Sequence, residues 1–492
     1  MALYFSSILK PNEITRAVAA GKMRKLARGI YTDDLTGPLE EITRRHRLEI
    51  LSHFYPGAVV SHRSAIDSNI SPGGKLNLTV SGDLAPTREL PGMSIRIWQG
   101  PPAQPTDIPL SFGGQPPLFA ASQPRALLEN LQLTRARSGE AKTLSKEEIE
   151  RWIDRQIRTF GIGWLDQMRT ETAAIAAHFG WVREQAEFVA MADAMQGKPS
   201  KVRLVTDLAR SRSRGLPYDP ERVTLFGLLY ARLAQERFVE LPRSPASEFE
   251  NRAFWEAYFS NFIEGSKFSV DEARGIVYNP PSVRDLEAKR PQDAHDVRET
   301  YRLIIDPKIS GEIPKTDAQL KEVLKRRHAR MMASRAAVEP GVFKKKNNEF
   351  GSRVFVAPEL VEETLTRGWP ASRGLKSAAA RALYILFFIA EVHPFNDGNG
   401  RISRLCMNAE MEAAGQARLI VPTSLRIDYL SVLEALTARG DPDPFVSFGH
   451  KLIDLNSRMP FDSLDHGHKY FRDTGGLDEQ VGPVFHGLEG SI

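Results

Sequence analysis

The sequence predicts a mainly α-helical protein with a smaller α+β segment at its N-terminus. Three observations predict it. Residues 382–390, Ala-Leu-Tyr-Ile-Leu-Phe-Phe-Ile-Ala, are an apolar run suited to a buried helix, and helical spacing resumes after Arg401 at Ile402, Leu405 and Met407. Residues 144–233 are rich in helical patterns such as Lys-Glu-Glu-Ile-Glu-Arg-Trp at 146–152. The first third instead mixes short strand-like runs with turn residues.

In chain order, residues 11–20 read as a short helix closed by Gly21. Residues 23–32 read as a strand with a turn at Gly29, and 39–54 as a charged amphipathic helix. Strands follow at 76–80 and 94–98, and Gly-Pro-Pro-Ala-Gln-Pro-Thr-Asp at 100–107 is loop. Beyond the helical stretch, Phe-Trp-Glu-Ala-Tyr-Phe at 254–259 continues as a helix into Ser260 and Glu264, which lie four apart and share one face. Residues 341–358 hold an Asn-Asn-Glu-Phe-Gly turn region and then a short strand at 353–356. The C-terminus is Gly-rich and weakly periodic, so it is expected to be peripheral, with His466 and His468 as surface residues.

At 492 residues the chain is too long for one compact domain, and two or three are expected. The composition, 41% hydrophobic and 26% charged, is that of a soluble protein. No apolar run reaches the ~20 residues that span a bilayer, and Met-Ala-Leu-Tyr-Phe-Ser at the start lacks a signal-peptide layout. No membrane role is expected. A single cysteine, Cys406, excludes an internal disulfide framework and fits a reducing cytoplasm. The His and Cys spacings make no zinc site. A net charge of +5 and a pI near 9.1 permit nucleic-acid binding without requiring it.

The most specific segment is 393–404, His-Pro-Phe-Asn-Asp-Gly-Asn-Gly-Arg-Ile-Ser-Arg, a loop joining two helices. The N–H groups that open the second helix form an anion site strengthened by the helix dipole. Gly398 and Gly400 lack the Cβ atoms that would keep a phosphate from the backbone, and Asn399 can donate a side-chain amide to it. Arg401 and Arg404 lie three apart and can bring two guanidinium forks to different phosphates. Asp397 is a hard oxygen ligand suited to Mg²⁺. His393 is a neutral-pH base at the rim.

This segment resembles the Fic signature H-x-F-x-[DE]-G-N-[GK]-R-x-x-R, with every specified position met. The resemblance implies a helical bundle with a β-hairpin flap and transfer of AMP from ATP to a Tyr, Thr or Ser hydroxyl of a protein, which could be the chain itself. It further implies His393 as general base and Asp397 as Mg²⁺ ligand. Gly398, Asn399 and Gly400 would be the anion cradle, Arg401 and Arg404 the polyphosphate clamp, and Phe395 the loop's anchor in the core. A phosphorylating relative carries Lys where this chain has Gly400, and a phosphocholine transferase has Ala where it has Gly398, so both positions favour AMP transfer. A silent loop, or one that works in reverse to remove AMP, stays open.

Ser260 to Gly265 fits [ST]-x-x-x-E-[GN], which resembles the inhibitory motif found before many Fic cores. It implies that Glu264 pairs with Arg404 and blocks productive ATP binding. Residues 341–358 resemble the flap that docks a target strand by main-chain pairing. For Lys344, Lys345 and Lys346, a solvated loop and a role near nucleotide or target both stay open. Residues 419–423, 429–436 and 440–445 look like the closing part of the Fic core, and the resemblance spans roughly residues 253–456.

Residues 17–31, with A-x-x-x-G-x-x-x-x-L-x-R-G-x-Y, and Gly-Ala-Val-Val-Ser-His-Arg-Ser-Ala at 57–65 resemble AbiEi-type antitoxins, which implies a winged-helix domain. Arg16, Lys22, Arg24, Lys25 and Arg28 could then contact DNA phosphates, although Asp33, Asp34, Glu40 and Glu41 interrupt the basic surface. The expected domains are 1–132 (winged-helix-like), 133–240 (connecting helices), 241–458 (Fic with inhibitory helix) and 459–492 (tail). The alternative to an enzyme is a DNA-binding regulator or toxin-antitoxin component with the Fic core as sensor. The oligomeric state, including a homo-oligomer, is left open.

Overall fold

The computed structural model describes residues 2–67, 71, 73–83, 86–110, 117–134, 140–350 and 353–479. The chain divides into two units, Met1–Gly215 and Leu216–Ile492. It is mainly helical, with sheets concentrated in the first unit. None of the described helices is long and apolar enough to cross a membrane.

In the first unit, Pro11–Ala19 is the expected short helix. Gly29, at φ +80°, turns the chain so that Arg24–Ala27 and Ile30–Thr32 pair as a hairpin. Leu3–Phe5 joins on the other side of Ile30–Thr32, completing a three-stranded antiparallel sheet. The expected helix over 39–54 is two helices, Leu39–Arg45 and Arg47–Phe54. His46 separates them by adopting φ −99° and ψ 14°, outside the helical well. A second, six-stranded mixed sheet has Lys75–Val80 parallel to Met93–Gln99, and Val59–Val60 parallel to Leu118–Ala120. Its edge strands Arg88–Leu90 and Ile108–Leu110 are three residues each, too short for period-two alternation to show in the sequence. Arg24 is spent internally: Nε donates to the Asp34 carbonyl at 2.6 Å and a terminal nitrogen to that of Gly37. It is therefore removed from the candidate phosphate contacts, whereas Arg16, Lys22, Lys25 and Arg28 are exposed.

The expected boundary at 132/133 does not separate two bodies. Leu127 and Leu131 pack with Ile149, Ile153, Trp164 and Phe188 in one apolar cluster, so the helices Lys146–Phe160, Trp164–Phe179 and Val182–Met195 belong with the sheets. Ser145 and Glu148 form a reciprocal capping box that starts the first of these. A fragment ending at residue 132 is expected to expose this face and melt without cooperativity, while one ending at 215 melts as a unit. Calorimetry of the two fragments checks this.

The expected boundary at 240/241 also moves. The helix Pro220–Leu233 buries Leu225, Phe226, Leu229 and Leu233 in the core of the second unit, which is why the division falls at Gly215. That core is built around Ala378–Val392, buried along nearly its whole length and packed against Asn399–Ala413. Ala246–Ile263, Pro291–Ile305, Asp317–Met331, Val361–Gly374, Arg426–Arg439 and Asp443–Arg458 also feed this core. The C-terminal segment is not wholly peripheral. Leu464–Asp473 is a helix whose Phe471 is fully buried, 4.7 Å from the Trp255 ring and 4.8 Å from that of Phe259. Residues 480–492 of the expected tail lie outside the described residues.

The hairpin is shorter than expected. Glu349–Phe350 pairs antiparallel with Arg353–Val354, and residues 351–352 of the expected turn lie outside the described residues. The second strand ends at Val354 because Phe355 and Val356 turn inward and are buried.

Candidate active site

His393 caps the C-terminus of the core helix in the left-handed region, at φ 52° and ψ 59°. Its backbone N–H still donates to the Ile389 carbonyl at 3.0 Å, so the helix delivers the ring at a fixed angle. The ring stacks on Phe355 with centroids 3.7 Å apart, and Nδ1 lies 3.2 Å from the Ala390 carbonyl. A carbonyl only accepts, so Nδ1 carries the hydrogen and Nε2 keeps its lone pair. Burial pushes the His393 pKa down to about 4, with Lys344 and Arg353 acting in the same direction and Glu264 opposing. At neutral pH the ring is an uncharged base.

The loop after His393 is held by its own side chains. Phe395 is fully buried and stacks on His328 at 3.8 Å. Asn399 spends its amide on the loop: Oδ1 accepts from Phe395 N–H at 2.9 Å and Nδ2 donates to the Phe395 carbonyl at 2.8 Å. It shapes the turn rather than reaching for a phosphate with its side chain. Gly398 sits at φ +77° and starts the Asn399–Ala413 helix, where an L side chain would be strained and would crowd Met332. Its N–H donates to Asp397 Oδ1 at 2.6 Å.

The two arginines part company. Arg401, almost fully buried, pairs with the buried Asp296 at 2.6 Å and faces Asp397 at 3.5 Å, so it braces the loop from behind. Arg404 faces the cavity. Its terminal nitrogen donates to Glu264 Oε1 at 2.7 Å and to the Ser260 carbonyl at 2.8 Å, and Nε donates to Ser260 Oγ at 3.0 Å. The helix Ala246–Ile263 delivers Ser260 and ends at Glu264, followed by Gly265 at φ +99°. A Cβ on Gly400 would overlap Glu264 Oε1 and lie 2.9 Å from its Cδ. Gly400 thus leaves room for a carboxylate as well as for a phosphate.

A cavity of about 310 Å³ joins these groups, with Glu264, His393, Arg404, Arg353, Phe355 and Tyr429 among its walls. Arg401 does not line it. Among the described residues no cluster of three His, Cys, Asp or Glu side chains could enclose a metal. Asp397, its side chain 48% exposed, lies at the rim.

Residues 319–411 match the model of the Fic/DOC family. The chain carries a Fic domain. It is 29% identical over 214 residues to the protein adenylyltransferase Fic of Drosophila willistoni, covering 40% of each chain. To the Drosophila melanogaster protein of that name it is 28% identical over 214 residues, covering 40% of this chain and 41% of the other. It therefore spans about 40% of the length of the curated relatives it matches. A solved Fic-domain signaling protein from Bacteroides thetaiotaomicron aligns with a TM-score of 0.37 at 16% identity, over 50% of this chain and 97% of that one.

Several residues of the Fic-domain site gave no sequence signal. Arg426 lines the cavity and donates from Nε to the Ile263 carbonyl at 3.1 Å, capping the helix that ends at Glu264. Tyr429, fully buried, interacts with Arg404. Asp296 lies 105 residues before its partner Arg401. Phe355 fell within the flap segment, and only the fold shows that its ring stacks on His393.

Proposed function

We propose that this protein is an adenylyltransferase that moves AMP from ATP to a hydroxyl of a protein, and that Glu264 holds it shut. The observation that carries the reading is the state of Arg404. The guanidinium best placed for a terminal phosphate is bonded to Glu264 at 2.7 Å, in a cavity shared with an uncharged His393.

In the open state, the terminal phosphates of ATP replace Glu264 on Arg404. The first amides of the Asn399–Ala413 helix and its dipole hold the adjoining anionic oxygens. His393 Nε2 removes the proton of the incoming hydroxyl. The oxygen forms a bond to the α-phosphorus as the bond to the bridging oxygen breaks, and pyrophosphate leaves with its charge offset by Arg404. Mg²⁺ would supply further charge neutralisation on the phosphates. Asp397 fits such an ion, because one exposed carboxylate suits a metal that takes its other ligands from phosphates and water. The flap edge at Arg353–Val354, with Val354 exposed, is where an extended target strand would pair.

The test uses wild type, Glu264→Gly and His393→Ala with ATP labelled at the α-phosphate, and in parallel at the γ-phosphate. Protein-bound label from the α-position only, raised by Glu264→Gly and lost with His393→Ala, supports the reading. Transfer of the γ-label makes the protein a kinase, and no label from either position rejects transfer. If the chain instead removes AMP, a pre-modified target loses its label on incubation.

Two further outcomes follow. The base must be neutral, and the His393 pKa is about 4, so kcat/KM of Glu264→Gly is expected to stay level from pH 7 to about pH 5 and to fall only as the pH approaches 4. An acid limb near 6.5 in a pH-rate profile would contradict this. Gly400→Ala is expected to displace the Glu264 carboxylate, but because the same Cβ crowds the phosphate position beside Arg404 it should raise the wild-type rate by less than Glu264→Gly does. Combined with Glu264→Gly it should give no additional rise, which a double-mutant cycle measures.

A further inference from the structure

We infer that His328 is a positioning residue for the Asp397 carboxylate, acting through the peptide between Asp397 and Gly398, and so for the Mg²⁺-bound ATP that this carboxylate would help to hold; this rests on the ATP-dependent reading above. His328 is fully buried on the helix Asp317–Met331, away from the cavity wall. It makes two hydrogen bonds of opposite sense. The Gly341 N–H donates to Nδ1 at 2.9 Å, and Nε2 lies 3.0 Å from the Asp397 carbonyl. The first makes Nδ1 an acceptor and the second needs Nε2–H, so only one neutral tautomer satisfies both.

The consequence for the loop comes from the planarity of the peptide bond. The carbonyl of Asp397 and the N–H of Gly398 point in opposite directions within one trans plane, and Gly398, at φ +77°, leaves that plane free to rotate unless something holds it. His328 holds the carbonyl on its side. The Gly398 N–H then faces the other way, where Asp397 Oδ1 accepts it at 2.6 Å, and this sets the carboxylate at the rim of the cavity. Ring stacking on Phe395 at 3.8 Å, with the planes 2° apart, fixes the imidazole itself. The same side chain ties down the base of the flap at Gly341, so one rigid helix indexes both segments that meet at the cavity.

The two bonds can be separated chemically. Gln reaches the position of Nε2 and can donate to the Asp397 carbonyl, but not accept from Gly341. Asn reaches the position of Nδ1 and can accept from Gly341, but not reach Asp397. Both lose the stacking on Phe395, so their difference isolates the bond to the loop. In the Glu264→Gly background, ATP affinity in the presence of Mg²⁺ is measured by titration calorimetry for the parent, His328→Gln and His328→Asn, with melting temperatures alongside. The expected result is that His328→Gln binds ATP within about threefold of the parent. His328→Asn should be weaker by about 10–100-fold, the usual effect of losing a partner behind a ligand-binding group, at a similar melting temperature. Equal affinities, or the reverse order, overturn the inference. Nitrogen-15 spectra of the unmutated side chain, assigned by the signal lost in His328→Gln, test the bond to the Asp397 carbonyl even if the variants fold poorly. The Nε2–H tautomer is expected, and Nδ1–H overturns the inference. ATP binding without transfer would reject the adenylyltransferase reading while the role of His328 in binding still stands or falls on the affinities, whereas no ATP binding by the parent rejects both.

Discussion

Replacing His393 with alanine is expected to lower kcat/KM for AMP transfer by about 10²–10⁴-fold, the usual contribution of a positioned general base. The argument is geometric before it is electrostatic. The core helix ends at His393, the Ala390 carbonyl selects the tautomer, and Phe355 stacks on the ring, leaving Nε2 as the nitrogen with a free lone pair. Burial keeps that nitrogen unprotonated at neutral pH. In the proposed mechanism Arg404 and the helix N-terminus hold ATP, so its affinity should change little in His393→Ala when measured in the Glu264→Gly background. A parallel loss of ATP binding would mean that the ring supports the fold rather than the chemistry.

Replacing Glu264 with glycine is expected to raise the initial rate of AMP incorporation by about 10–100-fold. Removing the carboxylate frees Arg404 of a charge-assisted hydrogen bond, worth roughly 1.5–3 kcal/mol, and each 1.4 kcal/mol is a factor of ten. The substitution falls at the helix end, beside Gly265, so it leaves the packing of Ala246–Ile263 intact. Glu264→Gln, which keeps an acceptor for Arg404 but removes the charge, should fall between wild type and Glu264→Gly. A rate for Glu264→Gln equal to that of Glu264→Gly would assign the inhibition to charge alone, and the three rates measured at one ATP concentration decide it.

Legibility followed sequence distance. Residues 393–404 could be read as a group because they are contiguous and flanked by two helical patterns, and Ser260 with Glu264 because a spacing of four puts two side chains on one helix face. The functions read for Asn399 and Arg401 changed in the fold. Both have the right chemistry for phosphate, but each is already engaged, Asn399 by the backbone of Phe395 and Arg401 by Asp296. A guanidinium or amide in a sequence carries no mark of whether a buried partner exists, and a buried charge without one is too unfavourable to persist. The same reasoning removed Arg24 from the candidate DNA contacts. The domain boundaries at 132/133 and 240/241 were misplaced because amphipathic helices announce that they have an apolar face without announcing which core receives it.

The sequence by itself determined the mainly helical class, the helix-loop-helix that presents His393 through Arg404, and the helix that ends at Glu264, because periodicity and turn chemistry act over a few residues. The tertiary structure alone decided which arginine faces the cavity, that Gly400 makes room for a carboxylate, that the Phe355 ring stacks on His393, and that His328 meets the Asp397 carbonyl. Those contacts join segments 38 to 140 residues apart, and only the packing of the helices around Ala378–Val392 brings them within hydrogen-bonding or stacking distance.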